Sequence, residues 1–152
     1  MGKYFKIEEF TKSYVAEKNN IQNEPDEQSL NNLELTMGVM EKIRENWTVY
    51  CHQHKLKNPQ IIITSGYRSE ALNEAVGGSK TSAHRNGFAC DFKPKNGEIN
   101  ALFKCVQQTL FNEGIPFDQL VYEKGKNTVW IHLGMRRNNN ETRHQVKCLE
   151  VK

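Results

Sequence analysis

Three residues able to hold a metal ion stand in two short segments, His84 and Asp91 in Ser82-Ala-His84-Arg-Asn-Gly87-Phe-Ala89-Cys-Asp91, and His132 in Trp130-Ile-His132. Neutral imidazole and carboxylate are ordinary zinc ligands, and three protein ligands with a fourth position left open make a catalytic site rather than a structural one. Alternation along Phe88–Lys93 puts Phe88, Cys90 and Phe92 on one face and Ala89, Asp91 and Lys93 on the other. In the same way Val129, Ile131 and Leu133 face away from Trp130 and His132, so Asp91 and His132 are free to face one cleft. Each residue alone has an ordinary explanation, as a surface or core histidine or as a solvated or capping aspartate. The combination points to the metal.

Those residues need elements to position them. A β-branched run, Gln60–Thr64, reads as a buried strand opening into the polar loop Ser65-Gly-Tyr-Arg68. Glu70–Val76 reads as a helix closed by Gly77 and Gly78. Upstream, Leu30, Leu33, Leu35, Met37, Met40, Ile43 and Trp47 recur at near-helical spacing and predict a long scaffold helix from Ser29 to about Tyr50. Ile99, Leu102, Phe103, Val106, Leu110 and Phe111 predict a second amphipathic helix, stopped by Gly114 and Pro116. Strands over Gln119–Glu123 and Thr128–Met135 form a hairpin around Gly125 and Asn127. In the N-terminal part, Phe5, Ile7, Phe10 and Tyr14 predict one short helix, and Asn19–Gln28 is the clearest loop. The order α, β, α, β, α, β, β predicts an α+β fold with a small, mainly antiparallel sheet flanked by helices. It is read as one domain: a helical arm about 1–28, a core about 29–135 and a polar tail 136–152.

The sequence resembles the zinc D-Ala-D-Ala peptidases, a family that includes vancomycin-resistance D,D-dipeptidases, phage endolysins and, distantly, the hedgehog signalling domain. The residues that carry the resemblance are Ser65-Gly-Tyr-Arg68, Ser82-x-His84-x-x-Gly87-x-Ala89-x-Asp91, Phe117-Asp-Gln-Leu120, Glu123 and Trp130-x-His132, and it extends from about Phe5 to Met135. It implies a hedgehog/D,D-peptidase-like fold of the single-domain phage or prophage type. It further implies that His84, Asp91 and His132 bind Zn2+, and that Arg68 holds a carboxylate or carbonyl of the peptide with Ser82 nearby. A guanidinium can grip a planar carboxylate through two parallel hydrogen bonds, which suits a peptide ending in D-Ala. The alternative for Arg68 is a structural tie to the glycine loops.

Hydrolysis at such a site needs a general base near the water that the metal activates. Many members of the resembled family carry a Glu three residues before the last His, where this chain has Val129. Glu123 is the best substitute, and the hairpin offers two registers for it. A tight turn at Gly125-Lys126 pairs Glu123 with Thr128, four residues from His132 and roughly 13 Å away, and puts Gln119 opposite His132. A wider loop puts Glu123 opposite Trp130, within diagonal reach of the metal. Gln119 can orient a water or an oxyanion but cannot act as a base.

Composition bounds the rest. The chain is 37% hydrophobic and 26% charged, and no apolar run approaches the ~20 residues of a membrane helix. Net charge is +3, with basic residues scattered, which argues against a nucleic-acid partner and is compatible with an anionic wall polymer. Cys51, Cys90, Cys105 and Cys148 lack any Cys-x-x-Cys spacing, so they are read as reduced thiols. Cys51-His52-x-His54 ends a helix beside lysines and is read as solvent-exposed, and His144 is given no chemistry. The N-terminus lacks a secretory pattern. The expectation is therefore a monomeric peptidase of bacterial peptidoglycan, not inserted in the membrane, held in bacterial or host cytoplasm before release to the wall, or phage-associated. Two rivals remain: a non-catalytic zinc-stabilised wall-binding module, and a structural mobile-element protein without zinc.

Overall fold

The structure is a computed structural model and describes residues 2–150; Met1 and residues 151–152, the extremities of the expected arm and tail, lie outside the described residues. Helix α1 is Tyr14–Lys18, α2 Glu27–Gln53, α3 Glu70–Ala75 and α4 Ile99–Asn112. The strands are β1 Ile61–Ser65, β2 Ala89–Pro94, β3 Gln119–Lys124, β4 Val129–Gly134 and β5 Gln145–Glu150. They form one sheet in the order β1-β2-β4-β3-β5, antiparallel except where β5 joins β3. The α+β fold with a mainly antiparallel sheet is as expected.

Alternation divides the sheet. Cys90, Phe92, Leu120, Ile131 and Leu133 are fully buried on one face, packed with Leu33, Met40, Ile43 and Trp47 of α2 and with Leu102, Val106 and Leu110 of α4. Burying each large side chain of this set contributes about 1.5–3 kcal/mol, so this layer is the main source of stability. Asp91, Val121, Glu123, Trp130 and His132 take the opposite face by the same alternation.

Three expectations are corrected. The arm is not one helix: a 3-10 turn, Ile7–Phe10, is followed by α1, which starts where the Ser13 side chain accepts from the Ala16 N–H, and Tyr14 is exposed. Helix α2 begins earlier than Ser29, because Asp26 caps it by accepting from the Ser29 N–H. The sheet has one strand more than the expected order, supplied by the polar tail. Its β5 pairs along the whole of β3, and Arg143 grips the buried Asp118 through Nε and Nη2 at 2.8 and 2.9 Å. His144 stacks on Phe117, with ring centroids 5.0 Å apart, and donates its N–H to the Phe117 carbonyl.

Candidate metal centre

Asp91 and His132 are direct cross-strand partners on β2 and β4, two inner strands of the sheet. Side chains directly opposite one another in an antiparallel pair lie about 5 Å apart at Cβ, so the register alone brings them together. His84 arrives from outside the sheet, in a 3-10 turn Ala83–Asn86 that Ser82 caps by accepting from the His84 N–H. Gly87 ends that turn at φ +80°, and a Cβ there would run into the Ser29 carbonyl of α2. The turn therefore needs glycine on both counts. Helix α2 also grips it directly: the Thr36 hydroxyl donates to the Gly87 carbonyl at 2.8 Å, and the Asn32 amide to that of Asn86 at 2.9 Å.

The Arg68 loop holds the other side of His84. The imidazole Nδ1–H donates to the Gly66 carbonyl at 2.7 Å, and the Arg68 backbone N–H donates to the His84 carbonyl at 3.0 Å. A carbonyl can only accept, so Nδ1 carries the proton and Nε2 keeps its lone pair. The arm braces this loop in turn. Tyr67 donates its N–H to the Phe10 carbonyl, and the Asn23 amide bridges Thr11, Tyr67 and Ser69.

One donor atom from each of His84, Asp91 and His132 lies within 4.8 Å of the other two. Asp91 Oδ1 is 2.8 Å from His132 Nδ1 and 3.3 Å from His84 Nε2. Burial lowers the pKa of His84, outweighing the pull of Asp91, so its ring favours the neutral form. A neutral Nε2 facing a carboxylate oxygen sets two lone pairs against each other, a contact that a cation resolves. Donor atoms around a tetrahedral zinc with ~2.0–2.2 Å bonds stand about 3.3–3.6 Å apart, a spacing that His84 Nε2 and Asp91 Oδ1 already have. His132 Nδ1 donates a hydrogen bond to Asp91 and would give up that proton and open slightly to hold the same ion. Burial alone would raise the pKa of Asp91, but charge and hydrogen bonds from His84 and His132, acting when the ring nitrogens that face it carry protons, more than offset it and hold the carboxyl below its ordinary range.

Arg68 lies beside this group, with Nη2 3.7 Å from Asp91 Oδ2. Its Nε donates to Ser65 Oγ at 3.3 Å and its Nη1 to Asn73 Oδ1 at 3.4 Å. Glu123 stands opposite Trp130, and Val121 opposite His132, with residues 125–128 forming the wider loop. The wider register is the one adopted. Gln119 pairs with Gly134, not His132, and its amide donates to Gln145, which corrects the tight-register expectation. Burial and the Asp91 charge raise the pKa of Glu123, while His132, Trp130 and Arg68 oppose the rise. Among the described residues the buried Trp130 indole N–H has no partner in good hydrogen-bond geometry, and its interaction with Glu123 is a loose one.

Sequence reasoning missed Gly66 and Asn73. The anchoring role of Gly66 runs through its carbonyl, which no residue type advertises. Asn73 is a buried helical amide that accepts from Arg68 and donates to the Ser79 carbonyl. His52, His54 and His144 stay outside the centre: His52 and His54 are exposed, with His54 stacked on Tyr50, and His144 stacks on Phe117. The cysteines are free thiols, all buried but Cys148. No helix among the described residues is long and apolar enough to cross a membrane. No curated protein matches the chain. The family model of peptidase M15, however, matches residues 3–134, nearly the whole folded body including every strand that carries a candidate ligand, and the chain belongs to that metallopeptidase family.

Proposed function

We propose that the protein is a zinc-dependent peptidase that hydrolyses a peptide bond of bacterial peptidoglycan, of the D-Ala-D-Ala carboxypeptidase or endopeptidase type. The observation that carries this reading is the gathering of His84, Asp91 and His132 donor atoms within 4.8 Å, in a chain of a metallopeptidase family. His84 Nε2, Asp91 Oδ1 and His132 Nδ1 would hold the ion, whose chemistry is to polarise a carbonyl and acidify water.

The protein's own residues do the rest. Glu123 takes the proton of the attacking water and returns it to the departing amine, and its raised pKa suits a group that must both accept and release a proton. Arg68, held by Ser65 and Asn73, keeps its guanidinium beside the centre to grip a substrate carboxylate or carbonyl. Ser82 caps the His84 turn and borders the cleft that leads away from His132. Gln119 lies in the same cleft and binds substrate rather than moving protons.

The test measures zinc content and release of new amino and carboxyl groups from purified peptidoglycan for wild type, Glu123→Gln and His132→Ala. One zinc per chain in wild type and in Glu123→Gln is expected, with cleavage by Glu123→Gln reduced about 10²–10⁴-fold, the worth of a general base. His132→Ala is expected to lose both metal and cleavage. Tightly held zinc without cleavage by wild type would leave a wall-binding module, and absence of zinc binding would overturn the site and the function together.

A further inference from the structure

A cleft of about 510 Å3 has His132 in its lining and does not include Arg68. Arg68 lines a separate cleft of about 270 Å3, and the two share no lining residue. One wall of the larger cleft is the loop bearing Thr81 and Ser82, and the other is Arg137, Asn138 and Asn139. That second wall lies beyond residue 134, outside the matched family region. It is nevertheless built in. The Arg143 guanidinium and backbone N–H both bind Asp118, and β5 zips onto β3 immediately afterwards.

Charge in the cleft is unevenly committed. Arg143 and Asp118 neutralise each other through a two-pronged ion pair. Arg137 uses Nη1 on Glu141 at 2.8 Å, in a pair that is about half exposed on both sides. A guanidinium has five N–H donors, so Arg137 can accept a second carboxylate. The remaining wall groups named above are neutral hydroxyls and amides, suited to peptide carbonyls and N–H groups.

We propose that residues 136–143 form a substrate-selecting wall, in which Arg137 reads a free carboxylate on the part of the peptide that crosses the centre from the Arg68 side. This rests on the peptidase reading above and adds a second anionic contact to it. In a stem peptide with lysine at its third position, the free carboxylate away from the terminal one is the α-carboxyl of the γ-linked glutamate.

The probes are two synthetic peptides, L-Ala-γ-D-Glu-L-Lys-D-Ala-D-Ala, joined through the glutamate side chain, with the glutamate α-carboxyl free or amidated. Affinity is measured on zinc-loaded Glu123→Gln protein with and without Arg137→Ala, and KM and kcat on zinc-loaded wild type and Arg137→Ala. The free acid is expected to be favoured about fivefold, the scale of one partly exposed ion pair. Arg137→Ala is expected to abolish the preference, mostly through KM, and Arg137→Lys to restore part of it. An unchanged preference in Arg137→Ala, no preference in Arg137-bearing protein, or no binding of either peptide would overturn the proposal. Selective binding without cleavage by wild type would uphold the wall and sink the peptidase reading instead. Melting curves of Arg137→Ala, expected to match wild type because the side chain is half exposed, separate lost recognition from lost fold.

Discussion

Arg143→Ala isolates the clasp that turns the C-terminal segment into part of the folded body. Asp118 is only 4% exposed and accepts three hydrogen bonds from Arg143: Nε at 2.8 Å, Nη2 at 2.9 Å and the backbone N–H at 3.1 Å. The substitution removes the first two and leaves a buried carboxylate on one backbone donor. Breaking a fully buried ion pair costs about 3–5 kcal/mol, and an exposed pair contributes about 0–1. The Arg143 side chain is 32% exposed and Asp118 borders the open cleft, so water can partly replace the lost donors. The expected cost lies between, at about 2 kcal/mol, which for a domain of this size lowers Tm by roughly 4–8 °C.

The sign of the pH dependence follows from Asp118. Burial acts to raise its pKa, but the Arg143 hydrogen bonds and charge hold it below the ordinary value. A carboxylate with a depressed folded-state pKa adds stability that is complete above its unfolded value of about 3.9, and loses it as pH falls through the folded one. The difference in Tm between wild type and Arg143→Ala, followed by circular dichroism in chelator to exclude metal effects, should be full at pH 7 and shrink below pH 4. A difference under 1 °C at pH 7 would refute the clasp. A difference that widens in acid would refute the electrostatic account of it.

Two further outcomes test the metal centre itself. His84 is buried with its pKa lowered, so its neutral form adds stability above the unfolded value of about 6.5, and that stability is lost as pH falls through the folded value. In chelator, the unfolding free energy from urea titrations should therefore drop between pH 7.5 and 5.5, with a slope of up to about 1.4 kcal/mol per pH unit that His84→Asn removes; an equal slope in both proteins would contradict the assignment. Gly66→Ala drives a Cβ into the Phe10 carbonyl and displaces the carbonyl that orients His84, so zinc affinity by competition with a chelating dye should fall about 10–100-fold, and an affinity within twofold of wild type would show that the Gly66 anchor is dispensable.

The alternation of β2 and β4 makes Asp91 and His132 legible in the sequence, because a strand half committed to a core must put its odd or even residues on the far side. The hairpin register was not legible. Gly125, Lys126 and Asn127 suit a tight turn as well as a wide one, and the adopted loop places the Trp130 ring against Gly125, where a Cβ would stand 3.0 Å from it. That contact involves residues on both sides of the loop and leaves no local pattern. The ordering of the polar tail leaves no local signal for a similar reason: Asn138, Asn139 and Asn140 carry no periodicity, and the ion pair that fixes the segment joins residues 25 positions apart. The arm misled through its apolar spacing. Phe5 and Phe10 are buried as expected, but the Phe10 carbonyl is spent on Tyr67 rather than on a continuing helix.

The register carries a functional consequence. With Glu123 opposite Trp130, the residue facing His132 from β3 is Val121, which has no donor to offer a metal. Had the carboxylate occupied that position, it would have stood about 5 Å from the His132 Cβ and completed a closed set of four ligands, the signature of a structural site. Two residues along, on the diagonal, it stays outside the group of donor atoms that cluster within 4.8 Å, yet near enough for the Asp91 and Arg68 charges to act on it. The double substitution Val121→Glu with Glu123→Val would therefore be expected to strengthen zinc binding, read by competition with a chelating dye, and to extinguish release of new amino groups from peptidoglycan. The proposed chemistry depends on that spacing as much as on the ligands themselves.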